Sequence, residues 1–175
     1  AQGAALCAMV CALSVGKKKY AEHEELLQAT KKRAEELSQE LLRVMERDTQ
    51  AFNQVSAVFS MPKATEEEKE KRGAALQEAL KLCTLVPLEA MRLMAEGIRL
   101  VDAIVGKSNQ SASSDLGCAA LHFKAGMEGA WYNVRINLSG IKDEEFIREY
   151  RQQGEKLREI YPLIDSILDT ISSLN

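Results

Sequence analysis

The sequence predicts an all-α protein, an antiparallel bundle of about five long helices, some kinked at proline. Three observations carry that prediction. The 175 residues are rich in Ala, Leu, Glu and Lys, with 5% aromatic residues, 10 Gly and 3 Pro, which is the composition of helices. From Ala21 to Met61 there is neither Gly nor Pro. Apolar residues in that stretch recur in alternating steps of three and four, the period of one helix face.

The first helix, up to about Val15, is apolar all round and is expected to be the central, fully enclosed one. Gly16 ends or bends it. Its apolar run, Ala4 to Leu13, is ten residues, where a membrane span needs about 20, so no membrane partner is expected. Ala1 already resembles the interior of a buried helix with no capping residue ahead of it, so a further segment upstream is expected. The second helix buries Ala34, Leu37, Leu41, Val44, Ala51, Val55 and Val58, with one skipped place at Asp48. Pro62 breaks the pattern, and Thr65 with Glu68 forms a capping box for the third helix. Leu76, Leu80, Cys83, Val86, Ala90, Met94, Val101 and Val105 are its stripe, with a kink expected at Pro87 and a stop at Gly106.

The segment 106–114, without apolar periodicity, is the expected functional loop. Ser114 or Asp115 is expected to cap a fourth helix reaching Leu138. Asp143 caps the last, whose inner face runs from Phe146 and Tyr150 through Leu157, Ile160, Ile164 and Ile167 to Ile171, with Pro162 as a local kink. A 40-residue helix is about 60 Å long, about twice the diameter of a compact domain of this size. Such rods leave apolar stripes uncovered, and a homodimer is expected.

No repeat or linker divides the chain, so residues 1–175 read as a single domain. With 23 basic and 26 acidic side chains the net charge is −3, which argues against disorder and against a nucleic-acid partner. Cys7, Cys11, Cys83 and Cys118 sit among apolar or small neighbours at no metal-binding spacing, and read as reduced core thiols in a cytoplasmic protein. Only His23 and His122 are present, and no metal site is expected. The absence of GxGxxG, P-loop, HExxH and GxSxG patterns leaves acid/base groups and positioning as the available chemistry.

Three groups stand out. Asp48 puts a carboxylate into an apolar stripe, where loss of hydration calls either for a structural ion pair or for a site. On the fourth helix Asp115, Ala119, His122, Gly126, Gly129, Asn133 and Asn137 share a small, polar face. That face reads either as tight helix packing or as a groove for a flat polar heterocycle. Lys17 to Lys19 either solvate a helix end or hold an anionic ligand tail.

The blocks VGKKKY (15–20), RDTQAFNQV (47–55), MPKATEEEKEKR (61–72), ALQEALKLCTLVPLE (75–89), SSDLGCAAL (113–121) and NVRINLSGIKDEEF (133–146) occur in order along nearly the whole chain. Together they resemble the formiminotetrahydrofolate cyclodeaminase/cyclohydrolase family. The resemblance implies an all-helical homodimer acting on reduced folates, with no cofactor beyond the tetrahydrofolate substrate. The expected reaction is that of one branch, which closes 5-formiminotetrahydrofolate to 5,10-methenyltetrahydrofolate with release of ammonia; the alternative is that of the other, which hydrolyses the methenyl compound to 10-formyltetrahydrofolate. Both pass through a tetrahedral carbon between N5 and N10. By the same resemblance Asp48 or Asp115 is the proton-transferring group, and Asn133 and Asn137 hold the pterin. Lys17 and Lys18 attract the glutamate tail, which is often extended to polyglutamate, and Asn109 and Ser114 of the loop complete the substrate contacts. The PGGGS-like stretch that usually opens the family does not precede Ala1. A silent helical dimer that scaffolds another folate enzyme is the alternative from a different class.

Overall fold

The computed structural model describes residues 1–174 and contains, among them, six α-helices and two short 3-10 turns. The helices are α1 (Gln2–Ala12), α2 (Glu24–Phe59), α3 (Glu66–Ile104), α4 (Ser113–Leu138), α5 (Glu144–Arg158) and α6 (Tyr161–Leu174), and no strand occurs among these residues. The start of α3 is the predicted capping box: the Glu68 N–H donates to Thr65 Oγ1 while the Glu68 carboxylate accepts from the Thr65 N–H. Asp143 caps α5 by accepting the Phe146 N–H at 3.0 Å. Gly16 and Gly106 lie at φ 74° and 75°, a backbone region that glycine enters without steric cost, and there the chain leaves α1 and α3.

α1 packs against α2 and α4, and α3 against the same two helices, so the four surround one core. α5 and α6 cover the outer side of α3 and α4. The predicted α2 stripe is inside: Ala34, Leu37, Leu41, Val44, Ala51 and Val58 are buried. From α3, Met91, Ile98 and Ile104 are fully enclosed, and Ile164, Ile167 and Ile171 bring α6 onto the core.

Several expectations are corrected. The last predicted helix is two: α5 ends at Arg158, and Pro162 sits in the first turn of α6, where its missing N–H has no helical partner to lose. α1 is not fully enclosed, because Met9 and, just past its end, Leu13 are each 41% exposed. Cys7, Cys11 and Cys83 are buried thiols, but Cys118 is exposed, on the outer side of α4. α4 starts one residue before the expected caps, after the 3-10 turn Gln110–Ala112, and Asp115 lies in its first turn.

α1 packs between α2 and α4: the Ala1 carbonyl accepts from Ser38 Oγ of α2, and Gly3 meets α4 at Ala119 and Phe123. α2 also carries a stripe of exposed apolar side chains on its outer face: Leu42, Met45, Phe52 and Phe59.

Candidate active site

A cavity of about 500 Å³ is lined by Asp48, Thr49 and Phe52 of α2, Cys83 of α3, and Asn133, Ile136 and Asn137 of α4. Three residues singled out in the sequence, Asp48, Asn133 and Asn137, therefore face one space from two helices. Asp48 is half-buried and, among the described residues, takes part in no ion pair. One residue before it, Arg47 pairs with Glu89 of α3 at 2.6 Å, which ties α2 to α3 beside the cavity. The Cys83 thiol forms part of the wall; burial, helped by the Asp48 charge, pushes its pKa up, so it stays a neutral thiol.

Asn137 is held by a device that begins at Pro87. A proline has no N–H, so the carbonyl four residues earlier, that of Cys83, has no helical donor. Asn137 Nδ2 donates to that carbonyl at 2.7 Å. The bond fixes the amide and leaves Oδ1 as an uncommitted acceptor. Asn133, one turn earlier on α4, is exposed. The sequence reading missed Cys83, Thr49, Phe52 and Ile136 as lining residues. Pro87 four places after Cys83 was the available signal that something must reach across to α3.

The other sequence-selected residues lie at the far end of α4. Asp115 and Asn137 are 22 residues apart on one helix, about 33 Å at 1.5 Å per residue, so they cannot act on one carbon within one protomer. Near Asp115 the loop and the 13–20 segment are tied together. Ser14 Oγ accepts the Asn109 N–H at 2.8 Å and donates to the Val10 carbonyl at 2.7 Å, Tyr20 Oη accepts from the Gln110 N–H, and Lys19 Nζ donates to Gln110 Oε1. Asn109 Oδ1 accepts from the Ser111 N–H. Lys17, Lys18 and Ser114 are exposed, and Asp115 is half-buried. Among the described residues no three His, Cys, Asp or Glu side chains converge as a metal site would need, and no helix is long and apolar enough to cross a membrane.

Residues 1–156 match the family model described as formiminotransferase-cyclodeaminase. The chain is similar to a methenyltetrahydrofolate cyclohydrolase of Methylorubrum extorquens, 40% identical over 174 residues, which is 99% of this chain and 84% of that one. It is also similar to the formimidoyltransferase-cyclodeaminase of Sus scrofa, 34% identical over 161 residues, covering 90% of this chain and 29% of the relative. Among solved structures, that of a formiminotetrahydrofolate cyclodeaminase from Thermotoga maritima superposes with a TM-score of 0.81 at 26% identity, over 98% of this chain and 80% of that one.

Proposed function

The chain belongs to the formiminotransferase-cyclodeaminase family, and on that premise we propose that it works at the one-carbon bridge between N5 and N10 of a reduced folate, as a 5,10-methenyltetrahydrofolate cyclohydrolase. The observation that carries the site is the cavity in which the Asp48 carboxylate faces the two asparagines of α4. Water adds to the bridging carbon, forming a C–O bond, and one of its protons passes to Asp48 and on to solvent. Collapse of the tetrahedral carbon breaks the C–N5 bond, the hydroxyl proton ends on N5, and 10-formyltetrahydrofolate leaves. Asn137 Oδ1, immobilised through its Nδ2, and the Asn133 amide offer the directional acceptor and donor groups that a pterin edge needs.

The similarity to the cyclodeaminases of Thermotoga maritima and Sus scrofa supports a second reading at the same cavity. There N10 attacks the formimino carbon, and Asp48 relays the proton that N10 gives up to the departing amine, which leaves as ammonia. A different placement, with Asp115 as the acid and Lys17, Lys18, Asn109 and Ser114 as contacts, puts the substrate at the opposite end of α4.

One assay separates these. The protein is given 5-formiminotetrahydrofolate and, separately, 5,10-methenyltetrahydrofolate, while the methenyl chromophore and ammonia are followed. Accelerated loss of chromophore supports the hydrolase, its appearance with ammonia supports the deaminase, and silence in both supports a scaffold. Turnover that survives in Asp48→Asn but not in Asp115→Asn would move the site to the other end.

The exposed stripe Leu42, Met45, Phe52 and Phe59 favours a homodimer, and Phe52 brings that surface to the rim of the cavity. A single species of monomer mass in sedimentation at micromolar concentration would refute it. The buried free thiols Cys7, Cys11 and Cys83 suit a reducing compartment such as the cytoplasm.

A further inference from the structure

On the other side of the α4 ridge lies a second cavity, of about 720 Å³, lined by Trp131, Arg135, Arg151, Glu155 and Arg158 together with Ile136. Ile136 also lines the Asp48 cavity, so the two hollows share a wall. Arg158 is already engaged: it pairs with Glu128 at 2.8 Å and lies 5.9 Å from the Trp131 ring centre. Arg135 and Arg151 are exposed and, among the described residues, take part in no ion pair. Tyr132, also on the lining of this second cavity, and Ile136, on the shared wall, are 64% and 69% exposed, far more open than apolar side chains of their size usually are.

The order across this surface is a carboxylate-and-amide cavity, an apolar ridge, and a guanidinium-lined cavity, with one helix diameter of about 10 Å to cross. A folate has the same order: a polar heterocycle, an apolar benzoyl spacer, and glutamyl carboxylates. We propose that Arg135 and Arg151 form the subsite for the anionic glutamyl tail of the substrate, with the spacer lying over Tyr132 and Ile136. The proposal rests on the Asp48 cavity holding the pterin. Guanidinium groups suit the task because their planar forks bind carboxylates bidentately. Glu155 is the one carboxylate on the lining; with Arg158 balanced by Glu128, it leaves a surplus of a single positive charge, enough for tail selectivity that salt weakens.

The test uses γ-linked pentaglutamate as the probe and the emission of Trp131, the only tryptophan and itself part of the lining, as the readout. A saturable change is expected with the unmodified protein, weaker at high salt. Arg135→Ala/Arg151→Ala should raise Kd at least about tenfold, whereas Glu155→Gln should lower it. A flat titration, or a loss confined to Lys17→Ala/Lys18→Ala or to Arg92→Ala/Arg99→Ala, a basic pair of α3 in a separate hollow shared with Lys156 of α5, would overturn the subsite. A parallel comparison of KM for mono- and pentaglutamyl 5,10-methenyltetrahydrofolate should show the advantage of the longer tail shrinking in the double arginine variant. Pentaglutamate binding without turnover of either folate supports the tail subsite and counts against the proposed reaction alone. Circular dichroism of each variant confirms the fold.

Discussion

At its C-terminal end α4 presents Asn133 and Asn137 to an open cavity, whereas at its N-terminal end the polar groups around Asp115 are used to hold the chain together. Both ends carry an aspartate, small polar side chains and nearby cations. The difference is what each group already bonds. Ser14, Tyr20, Lys19 and Asn109 spend their donors and acceptors on the 109–111 backbone and on one another's segment. Asp48 and Asn133 have no such engagement among the described residues, and Asn137 commits only one of its two polar atoms. Residue type alone does not distinguish a site from a polar joint; the supply of uncommitted groups around a hollow does.

The largest expected effect tests that contrast at the two aspartates. Asp48→Asn should lower kcat by about 10²-fold or more, the usual cost of removing a proton-transferring group, while Asp115→Asn should cost less than about tenfold. Steady-state turnover of the methenyl substrate measures both. Equal losses would break the comparison, because they would make the two ends parts of one site, which the separation along α4 allows only if two protomers combine.

Next in size is the Pro87 device. Asn137→Ala leaves the Cys83 carbonyl without a donor and should cost about 1–3 kcal/mol in urea or thermal unfolding. In a Pro87→Ala background the restored N–H of residue 87 can reach that carbonyl, so the same Asn137→Ala change should cost about 1 kcal/mol less. Equal costs in both backgrounds would mean that the asparagine does not answer the proline.

These cases show what the residue pattern could reveal. The stripes of α2 and α3, the Thr65–Glu68 box and the stops at Gly16 and Gly106 depend on local spacing and local backbone preference, so they were readable directly. Asp48 was readable as the skipped place in a stripe, and its helix does face a hollow there. The hollow itself lies where side chains of α2, α3 and α4 meet, a fact of relative position that no local pattern encodes. The break at Glu159 and Ile160 was hidden because the apolar spacing continues across it, from Leu157 to Ile164. Cys118 looked like a core thiol from its neighbours Gly117 and Ala119, which are buried, yet one step around the helix turns it outward. Pro87 reads locally as a kink; the structure adds that it frees a carbonyl that another helix then binds.

A smaller effect is expected at the joint. Ser14 is fully enclosed, and Ser14→Ala removes the acceptor for the Asn109 N–H, for a stability loss of about 1 kcal/mol by thermal unfolding. Its effect on kcat should be slight if the N-terminal end of α4 is only structural. A loss of turnover larger than the loss of folded protein would show that the loop's position matters to the chemistry.

The smallest effect separates the ends by pH. Glu24 accepts the Gly16 N–H at 2.9 Å and the Gln28 amide at 2.7 Å, and these bonds, the backbone one first, hold its carboxyl below the ordinary value of 4.5. A folded-state pKa below the unfolded one means that the folded protein prefers the ionised form. The contribution is therefore complete above the unfolded pKa and is lost as pH falls through 4.5 toward the folded value. Urea midpoints measured from about pH 6 down to about pH 3 should decline less steeply in Glu24→Gln than in the unmodified protein. Glu24 is only half-buried and still reaches solvent, so the change in slope should be slight and should fade in high salt. An unchanged slope would mean that the turn at Gly16 is held by Ser14 and the left-handed glycine alone, and the joint would then be insensitive to acid.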